Sequence, residues 1–283
     1  MTLPPLPELP GVDHRYETVN GIRMHYAEAG GGEPLVLLHG WPQHWWMWRD
    51  LIGPLAERFR VIVPDLRGHG WSGKPASSYR KAELASDVVA LLDRLGLDRV
   101  RLAGHDWGAI TSLLVASEHP ERVERMVAMS VPHPWQRRPD PVATLATAYQ
   151  LVLAGPWGRF AIQHGFMRQM LKGGRSIGSF SPDEVEAYEA IQREPDAVAA
   201  SVQMYRTFLT RELPAWVRGS FVPRRLTVPT LWLVGEHDIL ARNSDDGYRA
   251  HADDMTLEVV AGANHFMPEE MPAQIVDRMS RFL

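Results

Sequence analysis

Residues 100–109 have the sequence VRLAGHDWGA. An apolar run typical of a buried strand leads into the turn GHDWG at 104–108, and a helical pattern follows the turn directly. The flanking glycines allow the backbone to crowd around a tight turn, so the side chain at the tip would stand at the carboxyl end of the strand. The residue at this tip is Asp106. The segment therefore predicts one strand–turn–helix unit with a carboxylate at its apex.

The same alternation of strand and helix continues through much of the chain. Short apolar runs predict further strands at 23–27, 34–38, 60–63, 123–129, 230–234 and 256–260. Helical patterns lie between or after them at 45–58, 81–95, 107–118, 245–252 and 268–282. The later strands are nearly continuous in Val, Ile and Leu, which is typical of strands covered on both faces. We therefore predict an α/β class, with a mostly parallel sheet and helices on both faces.

One long stretch breaks this alternation, because it contains no clear strand. Helical patterns occupy it at 143–153, 158–171, 182–192 and 195–209. We predict that residues 134–220 form a helical cap inserted in a core domain made of residues 1–133 and 221–283.

Two later residues are candidate partners for Asp106, which taken alone could simply cap the helix after it. Asp238 and His265 each follow a predicted strand. The carboxyl ends of parallel strands meet at one edge of a sheet, so the three side chains would come together there. Their order along the chain is that of a nucleophile, an acid and a histidine. Glu236 and Asp245 are alternative acids.

The segment HGWP at 39–42 also follows a predicted strand, so it would lie beside the GHDWG turn. The backbone N–H groups of Trp41 and Trp107 could then form an oxyanion hole. The alternative is a plain turn, for which Gly and Pro are equally typical. We expect the side chains of His39, Pro42 and Trp107 to contact a substrate.

These segments together resemble the α/β-hydrolase fold over almost the whole chain. HGWP at 39–42 with GHDWG at 104–108 is similar to the epoxide hydrolase branch of that fold, with haloalkane dehalogenases as close relatives. The stretch PDLRGHGWS at 64–72 resembles a structural turn common in this group. The resemblance implies an α/β-hydrolase core with an inserted helical cap, and we expect no cofactor and no metal ion.

An aspartate at the tip suits different chemistry from a serine. A carboxylate is ionised at neutral pH and can attack without a base, which favours displacement at a saturated carbon. The product is an alkyl ester on Asp106, which water activated by His265, itself oriented by Asp238, would hydrolyse. This argues against an esterase, a lipase or a peptidase and favours epoxides or alkyl halides as substrates.

Tyrosines in the predicted cap favour the epoxide. Tyr149, in a Tyr-Gln pair, and Tyr205, in a Tyr-Arg pair, resemble the cap tyrosines of epoxide hydrolases, and the resemblance implies that they hold and protonate the epoxide oxygen. Tyr188 is the alternative, but its acidic helix at 182–192 is predicted to be a solvated face. A haloalkane dehalogenase remains an alternative, because the Trp107 indole could donate to a halide. A catalytically silent binding protein is a second one.

Composition excludes several other classes. The 283 residues contain no cysteine, which rules out disulfides, thiolate metal sites and a cysteine nucleophile. The formal charge of −4 argues against nucleic acid as a partner. There is no secretory signal pattern and no run of about 18 apolar residues. We therefore expect a cytoplasmic protein without a membrane partner, acting on a small, mainly apolar epoxide and water; monomer and homodimer stay open.

Overall fold

The computed structural model describes residues 3–137, 140–176, 178, 180–222 and 224–283. Eight strands form one sheet: β1 (Asp13–Val19), β2 (Ile22–Ala29), β3 (Glu33–Leu38), β4 (Phe59–Pro64), β5 (Val100–His105), β6 (Val123–Met129), β7 (Thr230–Gly235) and β8 (Met255–Val260). Their order across the sheet is β1-β2-β4-β3-β5-β6-β7-β8. Strand β2 is antiparallel to both of its neighbours, β1 and β4, and every other pairing is parallel. The predicted α/β class is confirmed.

Strand β1 is absent from the sequence prediction. It lies at an edge of the sheet and pairs only with β2. Most of its residues retain solvent exposure, so the segment DHRYETV contains no continuous apolar run. Strands inside the sheet need apolar side chains on both faces, and an edge strand like this one does not.

Twelve α-helices accompany the sheet in the described residues: α1 (Arg49–Ala56), α2 (Lys81–Arg94), α3 (Trp107–Glu118), α4 (Pro141–Ala146), α5 (Tyr149–Ala154), α6 (Gly158–Gln163), α7 (Phe166–Gly173), α8 (Pro182–Gln192), α9 (Pro195–Thr207), α10 (Leu213–Val217), α11 (Met267–Glu270) and α12 (Pro272–Phe282). Helices α4 to α10 all lie between β6 and β7 along the chain. Short 3-10 helices cover Trp45–Trp48, Pro120–Arg122 and Asp246–Ala250, and a π-helical turn covers Phe208–Glu212.

Two of the predicted helices are each a pair of shorter ones. The pattern at 143–153 divides into α4 and α5, and the pattern at 158–171 divides into α6 and α7. The second break lies at Gly165, whose φ of 88° takes the backbone out of the right-handed helix. The predicted helix at 245–252 is only a short 3-10 turn. Apolar spacing alone does not reveal such breaks, because the apolar residues continue on both sides of them.

Apolar side chains cover both faces of the sheet. On one face, the fully buried Trp45 and Trp48 pack in a cluster with residues of α1 and α12. On the other face, residues of α2 and α3 join a cluster that reaches Trp107 and Tyr205. The second cluster therefore connects the core to the helices between β6 and β7. No helix among the described residues is long and apolar enough to cross a membrane.

Candidate active site

The turn between β5 and α3 carries Asp106 at its tip. The Asp106 backbone has a φ of 50° and a ψ of −121°, a conformation that non-glycine residues rarely adopt. A Cβ on Gly104 would lie 2.4 Å from the Gly108 carbonyl, and a Cβ on Gly108 would lie 2.2 Å from the Leu38 oxygen. Glycine is therefore required on both sides of Asp106, because backbone occupies the space of any side chain.

The Asp106 carboxylate is surrounded by backbone donors. The Trp41 N–H donates to Oδ2 across 3.1 Å, and the Trp107 N–H also donates to the carboxylate. A Cβ on Gly40 would lie 2.5 Å from the same Oδ2, so glycine lets this loop approach so closely. The two N–H groups predicted as an oxyanion hole thus both donate to the Asp106 carboxylate.

Burial changes the ionisation of Asp106. The side chain keeps some accessible surface, but the protein around it leaves little room for water. This desolvation raises the pKa of Asp106, while attraction to His265, the two backbone N–H groups and the Lys81 ammonium act in the opposite direction. The carboxylate is thereby less hydrated than a surface aspartate, which makes it a better nucleophile when it is ionised.

His265 and Asp238 form a hydrogen-bonded pair at the same edge of the sheet. His265 Nδ1 donates to Asp238 Oδ2 across 3.2 Å, and Asp238 is fully buried. The backbone N–H of Leu240 donates to the other oxygen of Asp238, which fixes the orientation of this carboxylate. Burial lowers the pKa of His265, but the charges of Asp238, Asp106 and Glu270 outweigh it, so the net pKa is raised. The structure thus brings Asp106, Asp238 and His265 together.

The alternative acids lie elsewhere. Glu236 is exposed, and its carboxylate accepts the Gly262 N–H. The Asp245 carboxylate accepts the backbone N–H groups of Arg137 and Gly247, so it caps the short 3-10 helix after it. Asp238 is therefore the acid that contacts His265.

Two tyrosines from the helices between β6 and β7 face the Asp106 carboxylate. Tyr149 begins α5 and Tyr205 lies near the end of α9; their rings pack edge to face, with the centroids 5.9 Å apart. Burial and the charge of Asp106 raise the pKa of Tyr149 to about 12, and that of Tyr205 well above its ordinary value. Both hydroxyls therefore stay protonated at neutral pH and can donate.

Two indoles lie beside Asp106, and one of their N–H groups already has a partner. Trp41 Nε1 donates to Ser201 Oγ across 3.0 Å. The Tyr205 ring also packs edge-on against both indoles, at 5.3 Å from Trp41 and 6.1 Å from Trp107. The two tryptophans thus form apolar walls that hold Tyr205.

The substrate contact predicted for His39 does not agree with its placement. The side chain is fully buried, Nδ1 donates to the Gly40 carbonyl and Nε2 accepts the Leu66 N–H. Both ring nitrogens are therefore hydrogen-bonded to backbone groups, and the side chain has no exposed surface for a substrate to contact. Pro42 is buried and follows a cis peptide bond from Trp41. Trp107 keeps 7% of its surface exposed.

The prediction of a solvated face for the helix of Tyr188 is wrong for the tyrosine itself. Tyr188 is fully buried and its hydroxyl donates to Glu269 Oε1 across 2.7 Å. Arg49 forms ion pairs with both Glu269 and Glu184. The acidic residue Glu184 of α8 therefore takes part in an ion-pair cluster with the core. Tyr188 therefore belongs to this ion-pair cluster, whereas Tyr149 and Tyr205 face Asp106.

Sequence reasoning missed one charged group close to the nucleophile. Lys81, the first residue of α2, is fully buried against the Trp107 ring and pairs with Glu212. A lysine in the polar stretch YRKAE at 79–83 is normally a surface residue, so no local feature of the sequence indicated its burial.

Comparison with known proteins identifies the relatives of this chain. Residues 33–272 match the family model described as the alpha/beta hydrolase fold. The soluble epoxide hydrolase of Corynebacterium sp. (strain C12) is 32% identical over 282 residues, which cover 96% of this chain and 97% of the relative. The structure of epoxide hydrolase CorEH without ligand has a TM-score of 0.84 at 32% identity, covering 96% of this chain and 98% of that one. Wild-type Cfl2 from Burkholderia cenocepacia has a TM-score of 0.86 at 27% identity, with 99% of each chain covered.

Proposed function

Since this chain belongs to the α/β-hydrolase fold family and is a hydrolase, we propose that it converts epoxides to vicinal diols through an ester on Asp106. Residues 134–220 would act as a cap over the site and supply the tyrosines. The single observation that carries the proposal is that the phenols of Tyr149 and Tyr205 face the Asp106 carboxylate, at the edge of the sheet where His265 pairs with Asp238.

In the first step, the Asp106 carboxylate attacks one carbon of the epoxide ring. The new bond joins that carbon to a carboxylate oxygen, and the ring C–O bond breaks with its electron pair moving to the epoxide oxygen. A hydroxyl of Tyr149 or Tyr205 hydrogen-bonds this oxygen and gives it a proton. A neutral phenol suits the role because it donates without carrying charge beforehand.

In the second step, water hydrolyses the ester. His265 takes one proton from water, whose oxygen attacks the Asp106 carboxyl carbon, and the N–H groups of Trp41 and Trp107 stabilise the resulting oxyanion. The bond between the Asp106 carboxyl carbon and the ester oxygen breaks, and the leaving alkoxide oxygen receives the proton held by His265. The carboxyl proton left on Asp106 returns to the tyrosinate, so one water is added and every group is restored.

Dehalogenation with the same three residues is the alternative, and the partner of one indole argues against it. A halide leaving from the substrate needs free N–H donors, whereas that of Trp41 is engaged by Ser201. An epoxide oxygen needs a proton donor, which the two phenols provide.

The proposal is tested by one turnover in ¹⁸O-water with excess enzyme and styrene oxide. We expect a diol as product and one ¹⁸O atom in the Asp106 carboxyl, found by mass spectrometry of the peptide. Diol without label in Asp106 would show direct attack by water and contradict the ester. A parallel assay with a bromoalkane tests the alternative, because bromide release faster than diol formation would favour dehalogenation.

A further inference from the structure

Lys81 carries a buried ammonium group near Asp106, and neither of the two steps above uses it. Lys81 has no exposed surface, and its Nζ lies 4.0 Å from the centroid of the Trp107 ring and 5.7 Å from that of Phe208. Its nearest carboxylate oxygen is Glu212 Oε2, at 3.6 Å. An ammonium in such surroundings loses most of its hydration, which is costly unless opposite charge and aromatic faces compensate.

The compensation within the protein is incomplete. The 3.6 Å separation is too long for a strong hydrogen bond, and within the described part of the chain neither Lys81 Nζ nor Glu212 Oε2 has another hydrogen-bond partner. The other carboxylate oxygen of Glu212, Oε1, accepts a hydrogen bond from the backbone N–H of Lys81. The second anion that attracts the ammonium is Asp106. The positive charge of Lys81 is therefore shared between a structural carboxylate and the nucleophile.

The position of Lys81 also affects Trp107. The Trp107 indole ring contacts the ammonium and packs edge-on against Tyr205, and the backbone N–H of the same residue donates to Asp106. A cation over an indole face holds the ring in one orientation. Replacing Lys81 would thus affect Asp106 in two ways. It would remove the positive charge of the ammonium, and it would alter the packing of Trp107, whose N–H donates to Asp106.

We propose that Lys81 is a positioning residue for the nucleophile: its buried ammonium, held by Glu212 over the Trp107 ring, keeps the Asp106 carboxylate ionised although the surrounding protein displaces most of its hydration. This inference rests on the proposed role of Asp106 as nucleophile. Ester formation needs the ionised carboxylate, whereas ester hydrolysis depends on His265, so Lys81 acts on the first step.

All the groups that face Asp106 enter the expected pH dependence. His265 from the loop after β8 and Lys81 from α2 favour the charged carboxylate, as do the N–H groups of Trp41 and Trp107. Tyr149 and Tyr205 approach from the cap side and remain neutral at the pH values of interest. Removing the ammonium leaves His265 and the two N–H groups to oppose desolvation. The pKa of Asp106 should then rise further.

The test measures the rate of ester formation against pH, by rapid quench and mass spectrometry, in the full-length enzyme. Lys81→Met keeps the length of the side chain and removes its charge, so the acid limb should move up by about one pH unit. Glu212→Gln removes the competing negative charge, so the same limb should move down by about half a unit. Loss of packing alone lowers the rate without moving the two limbs in opposite directions.

The matched control is Arg80→Gln, which removes one positive charge from the exposed residue next to Lys81. Its acid limb should coincide with that of the unmodified enzyme, and thermal unfolding verifies that each variant is folded. An unmoved limb in Lys81→Met, with Asp106 still labelled by ¹⁸O-water, would overturn the role of Lys81 alone. Absence of the label in the unmodified enzyme would instead overturn the proposed ester mechanism.

Discussion

The two sides of the active site are built in different ways. On the core side, Asp106, Asp238 and His265 each follow a strand of the sheet, and Asp106 stands in a turn between two required glycines. On the other side, Tyr149 and Tyr205 come from separate helices, and they meet through their side chains. Backbone geometry thus positions Asp106 and His265, the proposed nucleophile and base, while side-chain packing positions the two tyrosines proposed as proton donors.

This difference teaches which kind of change each side tolerates. Each core residue has a distinct proposed role, so no neighbour can replace it. The two phenols are neighbours with the same functional group, so one can partly replace the other. The predictions below separate these two behaviours.

The largest effect is expected at the tip of the turn. Asp106→Asn replaces a charged nucleophile by a neutral amide and should lower kcat for styrene oxide by about 10⁴-fold or more. Mass spectrometry must show that the introduced asparagine has not deamidated. Asp98→Asn, on the exposed loop before β5, is the control and should retain full activity. Substantial turnover by Asp106→Asn would contradict a carboxylate nucleophile.

The tyrosine pair should give a smaller, graded loss. Tyr149→Phe or Tyr205→Phe alone should lower kcat/KM by about tenfold, because the other hydroxyl still donates, and the double variant by about 10³-fold. Tyr188→Phe is the matched control on α8. It should retain activity but lose about 1–2 kcal/mol in the free energy of unfolding, since buried Glu269 loses a hydrogen bond. Full activity in the double variant would show that neither phenol is the acid.

The smallest effect is the change of rate with pH, about tenfold per unit. His265 must be neutral to accept a proton, and its pKa is raised. Ester hydrolysis should therefore slow as the pH falls through this raised value, and stay fast above it. Tyr149, with a pKa of about 12, keeps its proton in alkali. Single-turnover rates between pH 5 and pH 10 should thus fall only on the acid side; a loss between pH 8 and pH 10 would contradict the raised pKa of the two phenols.

Much of the core side could be predicted from the sequence. The GHDWG turn, the strand ends before Asp238 and His265, and the HGWP segment are local patterns, because backbone conformation and strand periodicity depend on near neighbours. The placement of the cap tyrosines came from a resemblance, since spacing along a helix does not say which other helix it contacts.

What the sequence by itself determined is the α/β class and the order of the groups along the chain. Only the tertiary structure decided which partners each buried polar residue has, because the sequence around these residues does not distinguish them. His39 holds backbone, Tyr188 binds Glu269, and Lys81 lies under Trp107 without exposure. The reason is physical: burial of a polar side chain depends on partners far away along the chain, here 131 positions for Lys81 and Glu212, and no local pattern records them.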